Sequence, residues 1–522
     1  MKPSTEENVA PPIVGAEPDE TFDAFRQKLG FVLAPLAGLT TWFLTNAYSQ
    51  LRPEGKKLSG ILTCIAVLWI CESVPLPVTA LLGAVLCVTL GVAEIKPVLA
   101  PFADPIVFLF VGSFMLAEAM MIHKLDRRFA LGFLRLNFVS RSPFRIMAGL
   151  GFVTAALSMW VSNTATTAMM LPIGLGILHS LGEAQSTPDK KMDLRAWSFA
   201  TGLMLMLAYS ASIGGIVTPV GSPPNLITLG LLKKLADIEI SFVRWTMLML
   251  PMFLLMFAAL CVLLYWLHPG STSKGETLPM EKLQSRIRAQ YSELGGWSQG
   301  QINTMIVFVF AAVFWIVPGL LPEFLGKEHQ VSKMAKSFPE PIVALIAAVL
   351  LFVLPINFRA GQFTLTWRQA AKIDWGTILL FGGGITLGSL MDSTGVAKSL
   401  GESLTGAIGA SSIWALTAAA VALGIILSET TSNTAAANMI IPVIIALAKE
   451  AHVNPLPPVL GACLGASFGF MLPVSTPPNA IVYGSGFVPI TAMLRAGIIF
   501  DILGFLLIVS GLYVLCPLLG FC

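Results

Sequence analysis

Two Ser-Asn-Thr triplets, at 162–164 and 432–434, hold the side chains in this chain that are best suited to chemistry. Both lie in long uncharged runs. Residues 146–182 carry no acidic or basic charge, and from Ser403 to Ala448 the only charged residue is Glu429. Hydrocarbon penalises an unpaired polar group by several kcal/mol. Polar clusters at that depth therefore need partners, and a partner that comes and goes is a substrate. Each triplet is followed by Ala, a mostly apolar stretch and Pro, and the two copies stand 270 residues apart at both Asn and Pro (Asn163/Asn433, Pro172/Pro442). A single triplet in a membrane helix more often bonds a neighbouring helix; the matched pair points to a binding site.

A second repeat flanks the first. Thr218-Pro219-Val220-Gly221-Ser222-Pro223-Pro224-Asn225 parallels Leu472-Pro473-Val474-Ser475-Thr476-Pro477-Pro478-Asn479, 254 residues later. Three prolines in six positions break a helix, because Pro lacks the N–H and disfavours helix before it. Ser222 or Thr476 is then expected to cap the second half-helix, with Pro at its first position. A weaker third limb pairs Phe110–Gly112 with Phe381–Gly383. A broken helix frees N–H groups on one side of the gap and C=O groups on the other. The first suit a carboxylate, the second a bare cation such as Na⁺. Ser158 and Ser162 share a helix face, as do Ser428 and Ser432. Each triplet and its neighbouring break are thus expected to surround one cation, with a cleft between Asn163-Thr164 and Asn433-Thr434. Two similar donor sets suit an anion with a carboxylate at each end. With no Arg or Lys in the four motifs, cations and helix ends must supply the counter-charge, so cation binding precedes anion binding.

Composition sets the frame for these motifs. Of 522 residues, 55% are hydrophobic and 12% charged, and mean hydropathy is +0.79. Soluble chains carry about 25% charged residues, so this is an all-α polytopic membrane protein. A net charge of +3 gives no reason to expect nucleic acid. The seven cysteines show no CxxC spacing and read as packing residues. Enzyme motifs such as HExxH and GxSxG are absent, and no acid pair has catalytic spacing, so we expect no enzyme.

Spans are expected near 31–49, 58–74, 77–94, 104–122, 196–232, 244–268, 302–321, 341–357, 375–395, 457–487 and 495–519, each near the length a bilayer requires or longer. Residues 146–182 and 410–450 read as re-entrant hairpins with the triplets at their tips. Five crossings separate them, so they enter from opposite faces and the halves are inverted repeats. Residues 123–145 are basic and amphipathic, suited to the cytoplasmic surface. Residues 269–300 read as a solvated linker. With the N-terminus cytoplasmic, inside loops hold 20 Lys and Arg against 12 outside, the expected bias for a multi-pass protein of the cell's inner (plasma) membrane. Glu429 is expected to bond hairpin backbone rather than carry protons, and Glu72, Glu118 and Asp501 to sit structurally near span ends.

Paired Ser-Asn-Thr hairpins, each with a Pro-Pro-Asn break, together with Glu72–Leu81 and Phe108–Gly112, resemble the divalent anion/sodium symporter family of di- and tricarboxylate transporters over about residues 58–520. The resemblance implies eleven spans plus two hairpins, in a homodimeric elevator. Its parts would be a cytoplasmic tail (1–30), scaffold segments (31–142 and 301–395), transport segments (143–268 and 396–522) and the 269–300 linker. It also implies one sodium site from Ser158, Ser162, Asn163 and Gly221, and another from Ser428, Thr431, Asn433 and Ser475. Substrate contacts would be Asn163, Thr164, Ser222, Asn433, Thr434, Thr476 and Pro477. Ser428 stands where that family often has Thr, and Ser475 where a smaller residue can occur. The function implied is sodium-coupled symport of C4 dicarboxylates such as succinate, malate and fumarate. The alternatives are exchange of one di- or tricarboxylate for another, transport of an inorganic anion such as sulfate, and cation/proton antiport through Glu429.

Overall fold

A computed structural model describes residues 20–48, 50–185, 193–270, 280–326, 328–335, 337–408 and 412–521. Most of the N-terminal tail, part of the linker and Cys522 lie outside the described residues. The first half runs α1 (Glu20–Tyr48), α2 (Pro53–Cys71), α3 (Leu76–Thr89), α4 (Pro105–Ile122), α5 (Leu125–Leu134), α6 (Pro143–Ser158), α7 (Asn163–Gln185), α8 (Ser198–Gly215), α9 (Pro223–Ala236) and α10 (Phe242–Leu267). After α11 (Met280–Glu293) the second half runs α12 (Gln299–Leu325), α13 (Glu340–Val353), α14 (Trp375–Ser393), α15 (Val396–Ile408), α16 (Ile413–Thr430), α17 (Asn433–Glu450), α18 (Leu456–Gly465), α19 (Pro477–Gly484) and α20 (Ile490–Leu518). Short helical turns and one antiparallel β-ribbon, Pro355–Asn357 with Gln362–Phe363, complete the connections.

Starts follow local chemistry. Pro stands in the first turn of α2, α4, α6, α9 and α19, where its missing N–H costs nothing. Asp104, Ser142, Ser241 and Ser432 cap α4, α6, α10 and α17 by accepting backbone N–H bonds. Large apolar side chains such as Phe43, Leu254, Leu255, Val262, Leu506 and Val514 remain exposed, as a lipid-facing surface requires. Eight described helices are long and apolar enough to cross a membrane. Length alone does not reproduce a count of eleven: the eight include the hairpin arms α7 and α16, while α3, α13 and α18 are short and two expected spans are broken in the middle.

The halves interlock through the third repeat limb. Phe110 of α4 and Phe381 of α14 meet with ring centroids 5.2 Å apart. Gly112 of α4 lies so close to α13 that an added Cβ would stand 2.5 Å from the Ala344 carbonyl carbon and oxygen. Gly383 of α14 packs likewise on α3, where a Cβ would stand 2.6 Å from that of Ala80. Each repeat thus packs its glycine against a helix of the other.

The linker differs from expectation. Its α11 is no mere solvated connection: Leu283 and Ile287 are buried, Arg286 pairs with Glu183 of α7, and the Arg128 guanidinium on α5 donates to the carbonyls of Leu294, Gly295 and Gly296 at 2.9–3.0 Å. Two apolar positions suffice to dock a short helix, too few to stand out in a polar sequence.

Candidate functional site

Both hairpins form. Residues 159–162 turn between α6 and α7, and 431–432 between α16 and α17. The hydroxyl at the end of each descending arm bonds the triplet amide: Ser158 Oγ donates to Asn163 Oδ1 at 2.6 Å, and Ser428 Oγ to Asn433 Oδ1 at 2.7 Å. Ser162 and Ser432 accept the N–H groups of Ala165 and Ala435 at 3.3 and 3.2 Å, which fixes the start of each ascending arm.

Both expected helix breaks form as well, α8 to α9 and α18 to α19. Each is held by the Asn that follows its prolines. Asn225 Nδ2 donates to the carbonyls of Gly215 (2.9 Å) and Thr218 (2.8 Å). Asn479 Nδ2 donates to those of Gly469 and Leu472 (3.0 Å each). Sequence offsets are identical in the two copies. No sequence expectation attaches to these Asn residues, although the doubled Pro-Pro-Asn is the signal that marks them. Capping is as expected at Thr476, which accepts the Asn479 N–H at 3.4 Å. At Ser222 it is not: the side chain makes no capping bond and lines the cleft instead.

In the first half, oxygens converge where the hairpin tip meets the break. A Cβ on Gly221 would stand 2.6 Å from Gly215 O, 2.9 Å from Met159 O and 3.0 Å from Ser158 O. One on Gly215 would strike Asn163 Oδ1 and stand 3.0 Å from Gly221 O. Every donor in this cradle is an uncharged oxygen. That set suits a hard monovalent cation; Ca²⁺ and Mg²⁺ sites recruit carboxylates. The second half repeats the cradle with differences. A Cβ on Gly469 would stand 2.9 Å from both Ser428 O and Ser428 Oγ, and Ser428 Oγ also lies 3.0 Å from Ala466 O. Here Ser475 stands in place of Gly221 and Glu429 in place of Met159. Ser475 Oγ donates to Glu429 Oε2 at 2.5 Å, and Met471 N to Glu429 Oε1 at 2.9 Å. Glu429 therefore bonds the helix break, not the hairpin backbone. Thr431 turns its hydroxyl to Trp69 O of α2 at 3.0 Å, away from Ser428. Among the described residues no cluster of three or more His, Cys, Asp and Glu could hold a metal.

The two triplets share one cavity of about 630 Å³. Asn163, Thr164, Ser222, Asn433, Thr434, Thr476 and Pro477 all line it, with Ser162, Ser432, Pro223 and Pro478. Ser158, Ser428 and Ser475 are buried behind this wall. The rest of the wall includes Phe114 and Glu118 of α4 and residues of the 372–380 segment, among them Lys372, Asp374 and Thr377. That wall was not legible beforehand, since only packing brings α4 and the start of α14 to the triplets. Glu118 does lie near the end of α4, one turn before Ile122, and there it lines the cavity. Asp501 departs from expectation: it sits inside α20, 2% exposed. Glu72 does close a helix end, paired with Arg26 at 3.1 Å.

This doubled site matches known proteins over nearly the whole chain. The family described as the sodium:sulfate symporter transmembrane region aligns with residues 27–520. The chain belongs to this family, the divalent anion/sodium symporters. It is 35% identical over 86% of its length to an uncharacterized transporter of Haemophilus influenzae, covering 90% of that protein. It is 33% identical to the sodium-dependent dicarboxylate transporter SdcS of Staphylococcus saprophyticus, covering 94% of this chain and 92% of the relative. At the level of fold, this symporter-family chain resembles the YdaH transporter of Alcanivorax borkumensis (TM-score 0.50, 12% identity, 79% of this chain and 85% of that one). It also resembles MtrF of Neisseria gonorrhoeae (TM-score 0.51, 11% identity, 79% and 82%). It is a multi-pass membrane transporter.

Proposed function

We propose that this transporter couples Na⁺ to the uptake of a C4 dicarboxylate such as succinate, malate or fumarate. The observation that carries the reading is the pairing of two oxygen cradles with one shared cavity. Sodium in the first cradle is held by Ser158, Ser162, Asn163 and Gly221, through side-chain oxygens and the carbonyls that crowd Gly221. The second uses Ser428, Asn433 and Ser475, with Thr431 contributing from its backbone because its hydroxyl is committed to Trp69. Asn163, Thr164 and Ser222 then receive one carboxylate and Asn433, Thr434, Thr476 and Pro477 the other. Mirrored donors favour an anion charged at both ends over a single tetrahedral one such as sulfate. The relatives named sodium-dependent dicarboxylate transporters support both ion and substrate class.

Alternating access would carry the hairpins, broken helices, α10 and α20 past α1–α4 and α12–α14 as an elevator in a homodimer, with the N-terminus cytoplasmic in the plasma membrane. Lys372, which lines the cavity just before α14, would be left behind as the moving part slides, so the bound sodium ions must neutralise the dianion in transit.

Uptake of labelled succinate into proteoliposomes tests this reading. Uptake driven by an inward sodium gradient and lost when choline replaces sodium is expected. Uptake unchanged in choline but dependent on internal dicarboxylate would make the protein an exchanger.

A further inference from the structure

The shared cavity carries charge on only part of its wall. Its acidic and basic lining residues are Glu118, Lys372 and Asp374. They belong to α4 and to the approach to α14. The lining residues of the hairpins and helix breaks are all uncharged. Asp374 is occupied as the cap of α14, accepting the Thr377 N–H at 3.0 Å and the Thr377 hydroxyl at 2.5 Å. Lys372 is exposed, and Glu118 is half-buried.

Glu118 has no packing explanation. Helix α4 turns Phe114, Ala117, Glu118 and Met121 to the cavity. That spacing is one helix face, and Glu118 is its single polar member. An acid inside a span normally has a partner. Among the described residues, no hydrogen bond or ion pair reaches the Glu118 carboxyl group. Nor are its oxygens sealed among side chains, so they open onto the cavity. A negative charge in that position works against an anion, unless its use is to choose between anions.

The choice follows from where the charges of the substrate must lie, and it rests on the dicarboxylate reading given above. Two triplets with two cradles account for two carboxylates, whose charges the sodium ions meet. A third carboxylate has neither triplet nor cradle and must project toward the rest of the wall. Volume does not exclude it, because about 630 Å³ lies in the range that takes drug-sized ligands. Charge does. Glu118 and Asp374 set two negative charges there against the one positive charge of Lys372. A like charge about 8 Å away, at an effective dielectric of about 20, lowers affinity roughly thirtyfold. We propose that Glu118 is a specificity-determining residue whose carboxylate keeps out anions bearing a third negative charge, and so restricts the transporter to dianions.

The test is competition against labelled succinate uptake by the full chain in proteoliposomes. The sodium gradient is held constant at about pH 8, where free carboxylates are ionised. Half-inhibitory concentrations are measured for unlabelled succinate and for tricarballylate, which carries three carboxylates. Tricarballylate should be the weaker inhibitor of the wild type. Glu118→Gln should lower the ratio of tricarballylate to succinate by about tenfold or more, which allows for partial offset by Lys372. Glu118→Asp keeps the charge and should leave the ratio within about threefold of the wild type. An unchanged ratio in Glu118→Gln would overturn the proposal, as would a wild type inhibited equally by both anions. So would Glu118→Asp shifting as far as Glu118→Gln, since shape and not charge would then be at work. If Glu118→Gln does not insert, Glu118→Ala also removes the charge and must show the same tenfold shift. A wild type that takes up no succinate would overturn the dicarboxylate reading and this proposal together. Succinate uptake with an unchanged ratio overturns the charge screen alone.

Discussion

At the residue scale, a missing side chain does as much as those present. Gly221 leaves open the space that Gly215 O, Met159 O and Ser158 O surround. Gly221→Ala puts a methyl group there, and stabilisation by sodium should fall. The amount at stake is about 2.7 kcal/mol when sodium is a hundredfold above its Kd. Gly176→Ala is the control: its new Cβ meets nothing closer than Gln290 Nε2 at 3.8 Å, so the sodium response should be unchanged. Equal loss in both would detach the cradle from sodium. Asn163→Ala and Asn433→Ala each remove a cradle oxygen and a cleft donor, and each should lower uptake more than about tenfold in folded, inserted protein; uptake at the wild-type rate would remove that Asn from the site. These residues were legible because polar groups inside uncharged runs stand out, and because they occur twice. Lys372, Asp374 and Glu118 were not, because nothing in their local sequence indicates that packing brings them to the cleft.

At the element scale, the function depends on helices kept broken. Prolines explain why α8 and α18 end, but not what holds each gap in one shape. Asn225 and Asn479 do that, each tying two carbonyls across its gap. Asn225→Ala leaves both carbonyls without these bonds in a buried place, which costs roughly 2–4 kcal/mol. A drop in thermal stability with loss of sodium response is expected. Stability within about 0.5 kcal/mol of the wild type would mean that the break holds itself. Proline spacing made the breaks and their positions readable in advance. The boundaries were harder: α20 extends over 29 residues, so Asp501 falls inside a helix rather than near its end, and α11 hides behind a polar composition.

At the scale of the whole molecule, two copies of one plan face each other and differ where it matters. Phe110 meets Phe381 at the join, and Asn225 and Asn479 make the same pair of bonds in each half. Met159 and Gly221 on one side become Glu429 and Ser475 on the other. Repetition was plain in the sequence at the triplets and the prolines, and it led to the hairpins, the breaks and the shared cavity. The inequality was visible only as two substitutions, whose meaning needs the contact of Ser475 with Glu429. On the proposed reading the anion binds through cations already bound, because the hairpin tips and helix breaks carry no Arg or Lys. The direct test is the thermal shift produced by succinate on purified protein, in sodium and in choline. The account predicts stabilisation by succinate in sodium and none in choline; equal stabilisation in both would contradict it.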